Sequence, residues 1–185
     1  MAKIDTINGI ENFEDILNQA DGMVLCRNEL QWEIPSEKLM IAQKWAIQQC
    51  NKKAKLLMIQ SQILESMIES NLPTRNELTD ITTATLDGAD AFILSHETSI
   101  GKNIFDSTIQ LAKGIAEAES IYDYEQAHVN NRQDLKDMDK YASNIDVLCN
   151  TACSMAFEKD SDVDIILCFT ENGKIARFLS KQRTK

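Results

Sequence analysis

Two cysteines and the two histidines form one group of side chains whose type could support chemistry. Cys149 and Cys153 are four residues apart, which places both thiols on one face of a helix and could hold a metal ion. No histidine or second cysteine pair lies nearby, so the spacing favours packing in a core over a metal site. His96 and His128 lie in loop and connector sequence without a partner motif, so neither is assigned a catalytic role.

Four polar residues near apolar runs form a second group of candidates. Asp5 and Glu29 are carboxylates, Lys3 is an ammonium close to the first residue, and Ser61 is a hydroxyl after an apolar run. Taken alone, the carboxylates fit solvated loops, the serine fits a cap at the end of a strand, and the lysine fits a frayed tail. Their spacing by itself therefore gives none of them a function.

The elements that must position these residues are indicated by the hydrophobic periodicity. Short apolar runs predict buried strands at 23–26, 56–59 and 91–94. Amphipathic stretches predict helices at 10–17, 36–50, 76–86 and 105–120. In the helix at 36–50, Ser36 is expected to be the cap, and the inner face is expected to consist of Leu39, Ile41, Ala42, Trp45 and Ala46. Alternating strands and helices are typical of a parallel α/β fold, either a doubly wound sheet or part of a barrel, and periodicity does not choose between them.

A polar, charged stretch at 121–142 predicts a connector between two domains. The first domain is expected to cover 1–120 and the second 143–185. Within the second, the pattern predicts a helix at 145–156, a strand at 163–169 and a short helix at 175–180.

Composition excludes several classes of function. The formal net charge is −10, from 29 acidic and 19 basic residues, so nucleic acid and anionic membranes are not expected partners. No apolar run is long enough to span a bilayer, and the first residues lack the apolar stretch of a secretory signal. The five cysteines are an odd number spread along the chain, typical of reduced core thiols. A cytoplasmic location is therefore expected.

Three ordered motifs resemble those of the pyruvate kinase family. Residues 21–35, D-G-M-V-L-C-R-N-E-L-Q-W-E-I-P, align without a gap with the family's D-G-I-M-V-A-R-G-D-L-G-V-E-I-P. Residues 62–68 resemble Q-M-L-E-S-M-I, while 73–75 and 86–90 resemble P-T-R and L-D-G-A-D. Three shorter segments are also similar to the family. Residues 3–5 resemble K-I-E, residues 95–98 resemble S-G-E-T, and residues 170–177 resemble the phosphate loop of the family's C-terminal domain. The chain therefore looks like the C-terminal half of a pyruvate kinase.

This resemblance implies a fold and a reaction. The implied fold is a partial (β/α)₈ TIM barrel containing the later βα units, followed by an incomplete α/β C-terminal domain. The implied reaction transfers phosphoryl from phosphoenolpyruvate to ADP in glycolysis, with Mg²⁺ and K⁺ neutralising the developing charge. Positioning and charge stabilisation carry such a reaction.

The resemblance also assigns catalytic and metal-binding roles. Asp5 and Glu29 match the family's glutamate and aspartate that hold Mg²⁺, one shortened and the other lengthened by a methylene. Lys3 matches the lysine that stabilises the transferring phosphoryl group. Ser61 keeps a hydroxyl where the family's threonine assists enolate protonation.

Other matched positions carry replacements that argue against turnover. The substrate-binding group is Arg27, Asn28 and Gln31, of which Asn28 and Gln31 replace glycines that let the backbone approach the substrate. Gln60 places an amide where the family has alanine. The effector-phosphate loop is degraded as well, because it keeps a hydroxyl at the first of its three matched positions, Thr170, Asn172 and Ile175, and lacks one at the other two.

A chain that starts within the barrel is expected to lack the family's nucleotide-side arginines, its potassium ligands and its lid domain. Half a barrel leaves two strand edges unpaired and one sheet face open. A covering partner is therefore expected: the missing half-barrel, a second copy in a homo-oligomer, or another protein.

Two functions from different classes fit this sequence. The first is a non-catalytic remnant that acts as a structural or assembly component of a larger complex. The alternative is part of a divergent active pyruvate kinase, which Lys3, the two carboxylates and Ser61 favour. Damage at the site favours the first function, because a fold does not by itself guarantee an activity.

Overall fold

Two compact units make up the chain. The computed structural model describes residues 1–129, 144–157, 163 and 165–183. The first unit is Met1–Tyr122 and the second is Asp123–Lys185. Across these described ranges, no helix is long and apolar enough to cross a bilayer.

The first unit is built on a four-stranded parallel sheet. Its strands are β1 (Ala2–Ile4), β2 (Gly22–Cys26), β3 (Leu56–Gln60) and β4 (Ala91–Ile93). Their order in the sheet is the order in the sequence, β1-β2-β3-β4, and all three pairings are parallel. A doubly wound sheet reverses its strand order at a switch point, whereas a barrel does not. The sheet is therefore a segment of a barrel, and the strands predicted from periodicity are confirmed.

Seven α-helices and one 3₁₀ turn connect and cover these strands. The helices are α1 (Ile7–Glu11), α2 (Phe13–Gln19), α3 (Arg27–Leu30), α4 (Ser36–Lys52), α5 (Arg75–Asp87), α6 (His96–Ser99) and α7 (Ile104–Ser120), and the turn is Glu65–Ile68. The predicted helices at 36–50, 76–86 and 105–120 are confirmed to within two residues at each end. The predicted helix at 10–17 falls in α1 and α2, which are separate helices divided at Asn12.

The core lies between the sheet and the helices. Alternate strand residues on this side are fully or almost fully buried: Ile4, Met23, Leu25, Leu57 and Ile59. Phe13, Leu17, Ile47 and Ile81 belong to the same core. The opposite sheet face carries the register row Lys3, Val24, Met58 and Ala91, in which Lys3 is exposed and Met58 and Ala91 are half-buried. Among the described residues this second face stays partly open.

Two expectations about α4 are wrong. Ile41 was expected on its inner face and is 68% exposed, because the buried stripe runs through Leu39, Gln43, Ala46, Ile47 and Cys50, and residue 41 lies on the opposite side of the helix. Ser36 was expected to cap the helix but is its first residue, and Pro35 holds the cap position without a side-chain hydrogen bond. Proline suits a helix start because it has no backbone N–H to satisfy.

Near the start of helix α5, the carboxylate of Glu77 accepts four hydrogen bonds. Thr74 and Glu77 form a capping box, and Glu77 also accepts hydrogen bonds from the backbone and hydroxyl of Ser66. Burial alone would raise the pKa of Glu77, but the hydrogen bonds from Ser66 and then Thr74 outweigh it and hold the pKa below its usual range. The helix ends at Gly88, whose φ of 102° favours glycine.

We expect Glu77→Gln to destabilise the chain at neutral pH and not at acidic pH. The folded pKa of Glu77 is lower than its unfolded value of about 4.3, so its stabilisation is present above that pH and is lost as the pH falls through the folded pKa. The expected cost at pH 7 is about 1 kcal/mol. Urea denaturation of both proteins between pH 7 and about pH 3 measures it. Glu11→Gln, at an exposed carboxylate, is the control, and equal costs for the two variants at pH 7 would contradict the prediction.

The second unit contains helices that pack through polar contacts. Residues 124–129 are helical, and α8 (Asn144–Phe157) packs against α9 (Lys174–Lys181). Lys181 forms a buried ion pair with Asp146 at 3.4 Å, and Asn150 donates a hydrogen bond to Gln182 at 3.2 Å. These elements confirm the helices predicted at 145–156 and 175–180. The domain limits 1–120, 121–142 and 143–185 stay a prediction, and most of the connector lies outside the described residues.

The strand predicted at 163–169 is wrong for the residues that the structure describes. Residue 163 and residues 165–169 have no strand pairing, and residue 164 lies outside the described ranges. A β-strand is held by hydrogen bonds to a neighbouring strand, and the described part of this unit supplies no neighbour. Leu167 and Phe169 are consequently 80% and 91% exposed.

Candidate functional site

Polar residues gather at the carboxyl end of the sheet. Asp5 follows β1, Arg27 follows β2, Ser61 follows β3, and Ser95 lies just beyond β4. Because parallel strands present their carboxyl ends at one edge, residues far apart in sequence meet there, as they do in barrel enzymes. Lys3 belongs to the same group as a paired residue of β1, so its interpretation as a frayed tail is wrong.

A mutually bonded cluster joins the predicted catalytic and metal-binding residues. The Lys3 ammonium lies 3.3 Å from the Asp5 carboxylate and 3.4 Å from Glu29 Oε1. The Cys26 thiol donates a hydrogen bond to the other oxygen of Glu29 and lies 3.5 Å from the Ser61 hydroxyl. The structure therefore brings all four predicted residues near one another and adds Cys26, which the sequence did not assign to the site.

The pKa shifts of Lys3, Cys26 and Glu29 favour the protonation states in which these groups form their ion pair and hydrogen bonds. Burial raises the pKa of the Cys26 thiol, and its hydrogen bond to Glu29 raises it further. The same hydrogen bond lowers the pKa of Glu29. Burial alone would lower the pKa of Lys3, but Asp5, Cys26 and Glu29 outweigh it and raise the pKa. At neutral pH the cluster therefore holds an ammonium, a carboxylate and a neutral thiol.

As arranged, these side chains do not fit the Mg²⁺ that the resemblance implies. Mg²⁺ requires oxygen ligands at near-octahedral geometry and about 2.1 Å. Here Lys3 stands between the two carboxylates, and both Glu29 oxygens already accept hydrogen bonds. In the part of the chain that the structure describes, no group of three or more Cys, His, Asp or Glu side chains could hold a metal ion.

Arg27 is buried and bonded to protein atoms. Its Nε donates to the Ser61 carbonyl at 3.1 Å, and its Nη2 donates to the Gln62 carbonyl. Its Nη1 donates to Gln43 and to the Asp80 carboxylate, with which it forms an ion pair. One guanidinium thus ties α3, α4 and α5 to the turn after β3. The expected role of Arg27 in substrate binding stays a prediction.

The turn after β3 has an uncommon backbone conformation. Ser61 and Gln62 have φ values of 70° and 55°, in the left-handed region that non-glycine residues enter at a cost of about 1 kcal/mol or more each. Both carbonyls of this pair accept hydrogen bonds from Arg27. Arg27, which directly follows β2, therefore stabilises the backbone conformation that places the Ser61 hydroxyl near Cys26.

A chain of side-chain amides occupies the other half of the site. Gln62 Nε2 donates to Gln31 Oε1 at 2.9 Å, and Gln31 Nε2 donates to Asn28 Oδ1 at 3.2 Å. The adjacent cavity has a volume of about 10 Å³ and is lined by Asn28, Ser61, Gln62, Glu65, Ser95, His96 and Glu97. That volume holds about one water molecule.

Glu97 is a buried residue that lines this cavity. It is 2% exposed, and its two oxygens accept hydrogen bonds from the backbone of Leu64 at 3.1 Å and of Ser95 at 2.8 Å. The carboxylate thus joins the segment after β3 to the segment after β4. His96 beside it is exposed, but it is the first residue of the one-turn helix α6, so its interpretation as a loop side chain is wrong.

The predicted effector loop lies in the second unit. Asn172 Oδ1 accepts a hydrogen bond from the Lys174 backbone at 3.1 Å, Thr170 is exposed, and Ile175 is 38% exposed in the first turn of α9. The loop's effector role stays a prediction. In the same unit His128 is buried and lies 2.9 Å from the Ser154 hydroxyl.

The sequence analysis assigns no role to three residues of the candidate site, Cys26, Glu97 and Asp80. Cys26 stands at the alanine of the motif at 21–35, so the replacement itself was a signal. Glu97 is the glutamate of the motif at 95–98, and its burial was not indicated by periodicity. Asp80 had no sequence signal, because its pairing with Arg27 depends on the packing of α5 against α4.

A sequentially ordered parallel sheet with polar residues at its carboxyl edge defines the first unit as a segment of a β/α-barrel protein. The family model of the pyruvate kinase barrel domain matches residues 1–108. The chain belongs to the pyruvate kinase family.

Curated relatives match nearly the whole chain. Identity is 32% over 182 residues to cytosolic pyruvate kinase 2 of Oryza sativa subsp. indica and 35% over 182 residues to the pyruvate kinase of Eimeria tenella, covering 98% of this chain and 33% of each relative. The chain spans about a third of the length of these relatives. A solved pyruvate kinase from Cryptosporidium parvum superposes with a TM-score of 0.89 at 36% identity, over 98% of this chain and 36% of that one. The family and the partial barrel fold are thereby confirmed.

Proposed function

We propose that this polypeptide is a non-catalytic pyruvate kinase-like protein that serves as a structural or assembly component of a larger complex. The observation that carries the proposal is the mutual bonding of Lys3, Asp5, Glu29 and Cys26. Groups that must face a substrate and a cation are here bonded to each other. Displacing these bonds would cost free energy before any ligand could bind.

The amide chain supports the same proposal. Asn28 and Gln31 stand at glycine positions of the resembled motif, and their side chains fill space next to the carboxyl ends of β2 and β3. The cavity that Asn28, Ser61 and Gln62 help to line has a volume of about 10 Å³, which is enough for about one water molecule.

A partner is part of the proposal. The sheet face that carries Met58 and Ala91 is half-buried in the described unit, and β1 and β4 are edge strands. Another protein, or the half-barrel that the longer relatives contain, would cover both. The net charge of −10 supports a protein partner over nucleic acid or a membrane, and a cytoplasmic location agrees with the relatives named cytosolic.

The alternative is part of a divergent active pyruvate kinase that uses Mg²⁺ and K⁺. The grouping of Lys3, both carboxylates and Ser61 at one sheet edge favours it. For that function the cluster has to open, with Lys3 leaving the carboxylates and the Cys26 thiol leaving Glu29.

The test is an assay for ATP formation from phosphoenolpyruvate and ADP with Mg²⁺ and K⁺, using the chain purified with whatever it binds. We expect no turnover and a co-purifying protein partner. We also expect none from Asn28→Gly with Gln31→Gly, because the cluster around Glu29 stays closed. The C. parvum enzyme is the positive control. ATP formation that Lys3→Met abolishes would overturn the proposal and establish the alternative.

A further inference from the structure

The open face of the sheet in the first unit is mainly apolar. Along β3, Leu57 and Ile59 are fully buried on the side of the helices, whereas Leu56 is 50% exposed and Met58 is half-buried. Successive strand residues point to opposite faces, so Leu56 and Met58 lie on the other face. Ala91 is in register with Met58 and is half-buried as well. Among the described residues, these apolar side chains are therefore incompletely covered.

Two polar side chains on the same face have partners within the chain. The Lys3 ammonium lies within ion-pair distance of the Asp5 and Glu29 carboxylates, and Gln60 Nε2 lies 3.5 Å from the Ser95 hydroxyl. Neither places an unpaired charge on this face. Parallel sheets are ordinarily buried on both faces, so a face of this composition indicates half of a core.

The first and last strands of the sheet each have an unpaired edge. Within the described residues β1 pairs with β2 alone and β4 pairs with β3 alone, so each offers backbone N–H and C=O groups to a further strand. All strands of this sheet point in the same direction, and a β/α-barrel closes at eight strands. Its complement must therefore add four strands of that same direction, with a free edge on each side.

We propose that a second copy of the chain is this complement, and that two first units close into one eight-stranded barrel about a two-fold axis along the strands. The proposal names the partner that the proposed function requires, and therefore rests on it, because a second copy is itself a half-barrel. An axis in this direction keeps every strand parallel. Strand β4 of each copy then lies beside β1 of the other, which pairs both free edges.

The interior of the closed barrel is filled equally by the two copies. Barrel interiors consist of layers of four side chains, and each layer takes its side chains from alternate strands. Four strands supply two side chains to a layer, and the two-fold axis supplies the other two. Leu56 and Met58 of each copy then contact apolar side chains in place of water. A protein of another sequence would have to match the direction of both edges, whereas a second copy matches them by symmetry.

The test is sedimentation velocity of the full chain from about 0.5 to 50 µM. An interface that forms a core is of the obligate kind, so we expect a dimer throughout this range, with a Kd below about 100 nM. Met58→Glu is expected to raise the Kd at least about a hundredfold, because closure would bury two carboxylates inside the barrel. Met58 is half-buried in one copy, so the new carboxylate can reach water when the chain is alone.

Two further variants make this result specific. Leu56→Glu, at a more exposed position of the same face, is expected to have the same effect and replaces Met58→Glu if urea denaturation shows that variant to be unfolded. Met40→Glu is the matched control, because Met40 is 40% exposed on α4, and it is expected to leave the Kd within about threefold of the original.

Amide hydrogen exchange identifies the interface. In the dimer the outer N–H groups of β1 and β4 are paired between copies, so their exchange is expected to be at least about tenfold slower than in Met58→Glu. Strands β2 and β3 are paired on both sides within one copy and are expected to change least.

A chain that is monomeric throughout the range would overturn the proposal, and so would a dimer that survives Met58→Glu and Leu56→Glu or leaves β1 and β4 unprotected. A protein of another sequence that binds the monomeric chain, and that Met58→Glu releases, would overturn it as well. The ATP assay separates this proposal from the proposed function. A dimer that forms ATP would contradict the proposed function and support the closed barrel, and an inactive monomer would do the reverse.

Discussion

Replacing Arg27 by methionine is expected to lower the free energy of unfolding by about 3–5 kcal/mol, the usual cost of breaking a buried ion pair by removing one partner. Arg27 is 3% exposed and is bonded to two backbone carbonyls, an amide and the Asp80 carboxylate. In the described part of the chain, the other carboxylate oxygen of Asp80 is buried without a hydrogen-bond partner, so the substitution would leave a carboxylate that is 24% exposed and has lost its ion-pair partner. Urea denaturation measures the loss, which is a large fraction of a typical domain's stability.

Four further variants, one of them Asp80→Leu alone, separate the contributions to this effect. Arg27→Lys keeps a charge for Asp80 but loses the fork that binds Ser61 and Gln62, so an intermediate loss is expected. Arg27→Met with Asp80→Leu removes both charges and is expected to recover about 1–3 kcal/mol relative to the sum of the single losses. Arg75→Met, at an exposed arginine, is the control and should change stability by no more than about 0.5 kcal/mol. A loss below about 1 kcal/mol for Arg27→Met would show that the guanidinium does not stabilise the fold.

Glu97→Gln is expected to lower the free energy of unfolding by about 2–3 kcal/mol. The carboxylate accepts hydrogen bonds from the Leu64 and Ser95 backbones, one on each oxygen. An amide of the same shape offers one acceptor and turns its NH₂ toward the second N–H, leaving a buried donor unsatisfied. Because these bonds join the segments after β3 and β4, hydrogen exchange of the Leu64 and Ser95 amides is also expected to accelerate.

Glu65→Gln is the matched control for that substitution. Glu65 lines the same cavity but is exposed, so its replacement is expected to change neither stability nor amide exchange measurably. If Glu97→Gln behaved like Glu65→Gln in both measurements, Glu97 could not be the link between the two segments.

The parallel barrel segment could be predicted because its signals are local. Each strand is a short apolar run and each helix has an apolar stripe, so periodicity alone located β2, β3, α5 and α7. The motif at 21–35 then distinguished a barrel from a doubly wound sheet, which periodicity could not do. The strand predicted at 163–169 is wrong for the described residues, because an apolar run gives a segment the tendency to pair without supplying a neighbour.

The sequence predicts which residues lie at the candidate site, but it does not predict the hydrogen bonds between them. Lys3, Asp5, Glu29 and Ser61 occupy motif positions, and the structure brings them together. The bonds of Arg27 to Gln43 and Asp80 span 16 and 53 positions, and no local pattern specifies such pairings. The closure of the site by Cys26 and the amide chain depends on side-chain directions that emerge only once β2 and β3 are in register.

Strand order in the sheet also bears on how the chain acquires its structure. Each of β2, β3 and β4 pairs with the strand that precedes it in sequence, so each pairing is available as soon as the next βα unit has been synthesised. These pairings join strands one βα unit apart, so the loops they close are shorter than in parallel sheets whose neighbouring strands are distant in sequence. We therefore expect the sheet to grow strand by strand on the ribosome, with β1 and β2 assembled before β4 leaves the exit tunnel.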